Sequence, residues 1–371
     1  MRERLQKAIE YAIETGSFSK INQAEKAEWV CVFGLGRYFE EAFEYWKFEE
    51  KLGVNILCDN DSAKWGNVYK GLKCISPEEL YQLENVIVIP MIGDFSIIEE
   101  QLKSHNLRYI IPSDVCFEII ADMPRDIEWF EKNEIMNVYS LLEDEHSKEV
   151  YCNILCNRIA PQFSEKRYAE LQSGNEYFNE EFFKFDDKEV FVDCGAYDGD
   201  SLKAFLKHVE YKFDKSILFE MDGDNFLKLT KNKEMLPIEI KKKIECVHAG
   251  VWNENSEMEY GKEEHGTGES FSLLKSEHSV KVKTVKIDDA IPRTQNVTLI
   301  KMDIEGAELN ALKGAEETIK RWKPNLAICI YHKLNDFWEI PMYIKSIVPE
   351  YKIGIRHHQN NLGGTVLYAY I

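Results

Sequence analysis

The run Phe191-Val192-Asp193-Cys194-Gly195-Ala196-Tyr197-Asp198-Gly199-Asp200-Ser201 constrains the fold more than any other part of the chain. A short apolar stretch ends in an acid, two glycines follow, and a helical pattern opens at Ser201 and runs to His208. This is a strand, a tight turn and a helix in succession. Parallel strands need such crossover helices, so the segment predicts an α/β layer. Glycine belongs in such a turn because it accepts a left-handed backbone and lets another main chain approach closely.

The texture recurs along most of the 371 residues. Strands are predicted at Val190–Cys194, Ser216–Glu220, Glu245–Val251, Thr298–Asp303, Asn325–Tyr331, Tyr351–Arg356 and Thr365–Ile371, with helices at Ser201–His208, Asp224–Asn232, Ala307–Trp322 and Pro341–Ile347. The alternating run Val280–Ile287 reads as an exposed or edge strand, and Gly261–Gly268 as a polar, hairpin-like insertion. Residues 1–115 show a second strand–helix alternation, with strands at Trp29–Phe33, Val54–Cys58, Val86–Pro90 and Tyr109–Ile111. Residues 116–187 carry no convincing strand and read as a helical linker or cap, with helices at Asp126–Lys132 and Glu143–Asn157. Three regions are therefore expected: 1–115, 116–187 and 188–371.

Charge and cysteine usage narrow the setting. The formal net charge is −19, which disfavours phosphate backbones and anionic membrane surfaces as partners. No stretch approaches the ~20 apolar residues that span a bilayer, and the charged N-terminal segment lacks the apolar core of a signal peptide. The nine cysteines include no Cys-x-x-Cys pair and mostly sit in strand-like apolar runs. Buried free thiols in a reducing cytoplasm are expected.

The glycine turn also narrows the ligand. Asp-x-Gly-x-x-x-Gly is not the phosphate-cradling Gly-x-Gly-x-x-Gly. An acid two residues before the first glycine suits an amine-bearing ligand, and S-adenosylmethionine (SAM) carries an ammonium, a sulfonium and no phosphate. In this reading Gly195 and Gly199 let the backbone come close to the methionine portion, Ala196 and Ser201 are further cofactor-binding candidates, and Asp193 receives the ammonium directly or through water. Glu220 ends the next strand, where one carboxylate can accept both hydroxyls of a ribose diol. Met221 would pack on the adenine face. Taken alone, Glu220 has another reading, as a cap of the following helix. Tyr177 and Phe178 are expected near the same edge.

A third constellation is Leu299-Ile300-Lys301-Met302-Asp303-Ile304-Glu305-Gly306-Ala307-Glu308-Leu309. It places Asp303 and Glu305 at the carboxyl edge of the sheet, where open α/β folds bind ligands. Glu305 and Glu308 can also serve simply as first-turn acids of a helix. His332 reaches the same edge at the end of the next strand, either as a general base or as a structural histidine. No metal is demanded: the acids lie on different strand ends and no His pair has ligand spacing. A divalent ion at Asp288, Asp289 and Asp303 stays open.

The N-terminal region has its own glycine turn, Val32-Phe33-Gly34-Leu35-Gly36-Arg37-Tyr38-Phe39, followed by Asp59 at the end of the next strand. Two readings stand. One is a dinucleotide or nucleotide-sugar site. The other is a Rossmann-like turn that merely needs small residues, with Asp59 capping its own loop. The bulky Phe39 at the third glycine position weighs against the first.

Val192–Ser201, Phe219-Glu220, Val285-Lys-Ile-Asp-Asp289, Ile300–Glu308 and Leu312-Lys-Gly314 together resemble the FkbM family of SAM-dependent methyltransferases. The resemblance covers about 188–371, and Ile-Lys-x-Asp-x-Glu-Gly-x-Glu is its most specific element. It implies a class I (Rossmann-like) methyltransferase sheet, here beside a smaller N-terminal Rossmann-like α/β domain and a helical linker. It also implies methyl transfer from SAM to a hydroxyl of a sugar, glycan precursor or natural-product scaffold. His332, Asp303 and Glu305 are the candidate catalytic residues. A small-molecule or saccharide substrate is expected, and neither nucleic acid nor a membrane.

Overall fold

The computed structural model describes residues 1–44, 46–92, 95–112, 115, 130–261 and 279–371. They divide into two compact units. One comprises Met1–Lys7, Phe130–Asn157 and Pro161–Ile371, the other Ala8–Trp129 and Arg158–Ala160. Of the stretch 116–187 read above as linker or cap, 130–157 and 161–187 thus share a unit with the C-terminal strands. Residues 116–129, and with them most of the predicted helix Asp126–Lys132, lie outside the described residues, as does the insertion from 262 to 268.

The smaller unit is built on β1 (Trp29–Phe33), β2 (Ile56–Cys58), β3 (Val68–Tyr69), β4 (Leu72–Ile75), β5 (Val86–Pro90) and β6 (Arg108–Tyr109), in the order β3-β4-β2-β1-β5-β6. All neighbours are parallel except the β3–β4 hairpin. That hairpin carries no alternating apolar pattern long enough to announce itself, and the sequence reading missed it.

The larger unit holds β7 (Val190–Cys194), β8 (Lys215–Glu220), β9 (Ile244–His248), β10 (Gly250–Val251), β11 (Ser256–Gly261), β12 (Ser279–Val285), β13 (Leu299–Met302), β14 (Asn325–Cys329), β15 (Lys352–His357) and β16 (Thr365–Tyr370). Seven of these form one sheet in the order β15-β16-β14-β13-β7-β8-β9. β16 is antiparallel to both neighbours and the other pairings are parallel. β10, β12 and β11 make a separate small sheet, so the predicted strand Glu245–Val251 is in fact split between two sheets. Every residue of β7 is buried, as expected for a parallel strand covered by helices on both faces. Phe191, Phe205, Leu218, Leu299 and Ala327 join strands and helices in one core.

This strand order decides where a ligand can enter. From β7 the chain runs outward through β8 to β9, then returns to β13 on the other side of β7. The carboxyl ends of β7 and β13 therefore flank a topological switch point, where the connecting segments part and leave a crevice.

The predicted helix Ala307–Trp322 is two helices, Glu308–Lys313 and Glu316–Trp322. Gly314 sits at the break because a Cβ there would collide with the Trp252 main-chain carbonyl. A backbone carbonyl cannot be repacked as a side chain can. Gly314→Ala should therefore lower stability by about 1–3 kcal/mol in urea denaturation, the usual cost of overpacking. Gly174→Ala, where a Cβ meets nothing within 4 Å, should stay within about 0.5 kcal/mol of the parent.

Candidate active site

The glycine turn after β7 is held by main-chain contacts. Gly195 and Ala196 both donate to the Phe219 carbonyl, at 3.0 Å each. Gly195 has φ +82°, and a Cβ there would strike the Asp303 carbonyl oxygen. Glycine is required on both counts: it allows the ends of β7 and β13 to close on each other at the switch point.

Beneath the turn lies a buried ion pair that sequence reasoning did not foresee. Lys301 Nζ is 3.1 Å from Asp193 Oδ1 and donates to the Gly195 carbonyl at 2.7 Å. Ser201 Oγ–H also donates to Asp193. Burial opposes charge on Lys301, but Asp193 and Asp303 outweigh it and hold the ammonium above the ordinary lysine range. Asp193 is fully buried and already engaged. The expectation that it receives a ligand's ammonium directly therefore meets a carboxylate turned inward. Ser201 and Ala196 are likewise buried under the turn. These three residues support the loop from inside the fold. The signal for Lys301 was present: a lone lysine inside an apolar strand must find a partner to be buried.

Glu220, at the end of β8, is where the sequence put it. One oxygen accepts the Tyr197 amide and the other the Asp222 amide, each at 2.8 Å. A carboxylate offers about four acceptor positions, so both oxygens keep capacity for a ligand. Burial pushes its carboxyl up to about 7, against the two amides that favour the charged form. The capping role is taken by Asp222, whose side chain accepts the Asp224 and Asn225 amides at 3.0 and 2.9 Å. Met221 packs beside Gly250, its sulfur 3.5 Å from where a Cβ would stand.

On the opposite side of the switch point, Asp303 follows β13. Tyr177 and Tyr331 donate their hydroxyls to its two oxygens at 2.9 and 3.0 Å. Burial raises the Asp303 carboxyl, but Lys301 and His332 outweigh it and hold it below the usual range. Tyr177 thus reaches the carboxyl edge as expected, whereas Phe178 turns into the core against Phe191 and Phe205. Tyr331 was not singled out from sequence.

His332 is enclosed by three carboxylates. Its Nδ1 lies 3.0 Å from Glu308, and its Nε2 lies 3.4 Å from Glu305 and 3.5 Å from Asp303. Burial disfavours the imidazolium, but Glu308 and Glu305 outweigh it and raise the pKa well above the ordinary histidine value. A histidine held protonated cannot accept a proton, which argues against the general-base reading. The acids read above as lying on different strand ends do come together here: donor atoms of Asp303, Glu308 and His332 lie within 4.8 Å of one another. Asp288 and Asp289 are occupied elsewhere, accepting from the Glu317 and Thr318 amides and from Asn255.

The N-terminal glycine turn repeats the upper half of this geometry. Asp59 accepts the Leu35 amide at 2.7 Å and the Asp61 amide at 2.8 Å, as Glu220 accepts those of Tyr197 and Asp222. It differs in that Lys64 Nζ lies 2.8 Å from Asp59 and donates to the Leu35 carbonyl. The acid that would read a ribose is neutralised by its own loop, which favours the reading of Asp59 as a loop residue.

Residues 193–353 match the family described as methyltransferase FkbM domain. Among solved structures, the methyltransferase FkbM from Methylobacillus flagellatus KT is 23% identical, with a TM-score of 0.71 over 99% of this chain and 98% of that one. The likeness extends the shared fold to the N-terminal unit. A putative methyltransferase from Streptococcus mutans, solved in complex with SAH, is 14% identical over 50% of this chain and 90% of that one, with a TM-score of 0.32. A putative rRNA methylase from Clostridium thermocellum is 11% identical over 53% of this chain and 96% of that one, with a TM-score of 0.34. No curated protein matches the chain.

Removing the buried cation should expose how much the turn depends on it. Lys301→Met should destabilise the protein by about 3–5 kcal/mol, because it leaves Asp193 charged and buried. Adding Asp193→Asn should recover part of that loss. Thermal and urea unfolding of the two single variants and the double variant would measure the coupling.

Proposed function

We propose that the protein is a SAM-dependent O-methyltransferase whose acceptor is a hydroxyl on a sugar, glycan precursor or natural-product scaffold. The observation that carries the cofactor assignment is Glu220: a carboxylate with spare acceptor capacity, fixed by two amides beside the glycine turn. A ribose diol offers two donors to such a group, and Met221 lies next to it for the base. The Asp-x-Gly-x-x-x-Gly turn, whose spacing is not the phosphate-cradling one, and the match to the FkbM domain support the same ligand. When bound, SAM supplies a methyl carbon made electrophilic by its sulfonium.

The chain's own contribution is mainly alignment in a crevice. Asp303 is the acceptor-side group, since its carboxylate keeps 24% exposure while His332 is enclosed at 4%. Tyr177 and Tyr331 fix its rotamer. In this reading Asp303 accepts the hydrogen bond of the attacking hydroxyl and takes its proton as the new carbon–oxygen bond forms. Glu305 and His332 complete the polar wall beside it. The FkbM resemblance suggests the saccharide-type acceptor. No described helix is long and apolar enough to cross a membrane, and the eight described cysteines are free thiols. Both features fit the cytoplasmic setting read from the sequence.

Incubating the protein with labelled SAM and fractionated sugar and sugar-nucleotide pools tests the activity. A product heavier by one methyl is expected, and the absence of label transfer with SAH binding intact would leave only a binding protein. Glu220→Ala should weaken SAH binding by about 1–3 kcal/mol in calorimetry. The pH dependence has a definite sign. Ribose hydroxyls bind the ionised carboxylate, so affinity should fall as pH drops through about 7, by at most ~10-fold per unit. Glu220→Gln should flatten that dependence. Asp303→Asn should reduce turnover by ~10²–10⁴-fold with SAH affinity nearly unchanged. Equal loss of affinity would make Asp303 a cofactor or structural residue instead.

A further inference from the structure

The geometry points to a binding site for one divalent cation formed by Asp303, Glu308 and His332, at the carboxyl edge between β13 and β14. The three residues come from different elements. Asp303 follows β13, Glu308 opens the helix Glu308–Lys313, and His332 follows β14. Their donor atoms converge to within 4.8 Å of one another. Ligands of a single ion at roughly 2.0–2.2 Å lie at most roughly 4.4 Å apart, so small side-chain shifts would close them on it.

A second observation comes from Glu308. Its side chain is completely buried. Oε1 accepts the Ile304 amide at 2.9 Å, but Oε2 has no hydrogen-bond partner among the described residues. A buried carboxylate oxygen left without a donor is costly and needs an explanation, and a cation supplies one.

Local charge agrees. Asp303, Glu305 and Glu308 surround one imidazole, and a bound ion would take the place of the imidazolium proton, which must leave for the ring to act as a ligand. The nearby ammonium groups are committed elsewhere, Lys301 to Asp193 and the Gly195 carbonyl, and Lys333 to the Gly306 carbonyl at 2.6 Å. The Nε2 distances of 3.4 and 3.5 Å to Glu305 and Asp303 exceed those of good hydrogen bonds.

One imidazole nitrogen with carboxylate oxygens suits Mn²⁺, Fe²⁺ or Mg²⁺ better than a thiophilic ion. Glu305 stands beside this set as a further oxygen donor. An ion here would draw an acceptor hydroxyl to the crevice and ease loss of its proton. That role rests on the methyltransferase reading, whereas the binding itself does not.

The test uses the full chain, freed of metal with a chelator and titrated with Mn²⁺, with free ion followed by electron paramagnetic resonance. One ion per chain is expected, bound at least ~10-fold more weakly by both Glu308→Gln and Asp303→Asn. SAH calorimetry on the same samples reports separately on the cofactor reading and on folding. No Mn²⁺ bound by the parent, or binding unchanged in Glu308→Gln that still folds by circular dichroism, would overturn the site and make His332 a purely ionic hub. SAH binding that fails while the Mn²⁺ site persists would instead overturn the cofactor reading alone.

Discussion

The buried pair between Lys301 and Asp193 is the constraint on which the site depends. It ties β13 to β7 across the switch point, at the place where the glycine turn must be narrow. Lys301 also holds the Gly195 carbonyl, and Gly195 yields its Cβ volume to the Asp303 carbonyl. Strand pairing, loop shape and the position of Asp303 are thus set by one cluster of contacts. A well-packed apolar pair could be as stable, but it would not hold the turn's carbonyl or bias the charge of Asp303.

Around this anchor, two carboxylates of opposite character stand at the carboxyl edge of the sheet. Burial drives Glu220 upward, so its charge responds to what binds it. Lys301 and His332 drive Asp303 downward, so it stays ionised and oriented. Opposing environments thus give two like groups different charge behaviour. Behind Asp303, Glu308 and His332 are buried, while Glu305 beside them stays partly exposed.

The two glycine turns show how little separates a ligand-ready acid from a structural one. Asp59 and Glu220 each end a second strand, and each accepts an amide of the preceding turn. Lys64 then occupies Asp59, while no lysine is paired with Glu220 among the described residues. The spacing of glycines and acids, which a sequence displays, is the same kind of signal in both units. The deciding lysine lies five residues beyond Asp59 and folds back on it, which only the loop's path makes possible.

The strands and the carboxyl-edge residues were legible in the sequence, because burial on both faces writes continuous apolar runs and the acids terminate them. β7 and β8 fall where the pattern puts them, and Asp193, Glu220, Asp303 and His332 do stand at one edge. Tertiary structure decided what each does there. The sequence cannot show that Lys301 claims Asp193 from a strand three crossovers later in the chain, that Asp222 takes the capping role and frees Glu220, or that Gly314 must yield its Cβ volume to the Trp252 carbonyl. It also cannot show that acids from separate strand ends converge on His332. The physical reason is common to all four. Local patterns report whether a residue is buried, but charge pairing, close backbone approach and shared donors depend on through-space distances that only the packed sheet sets.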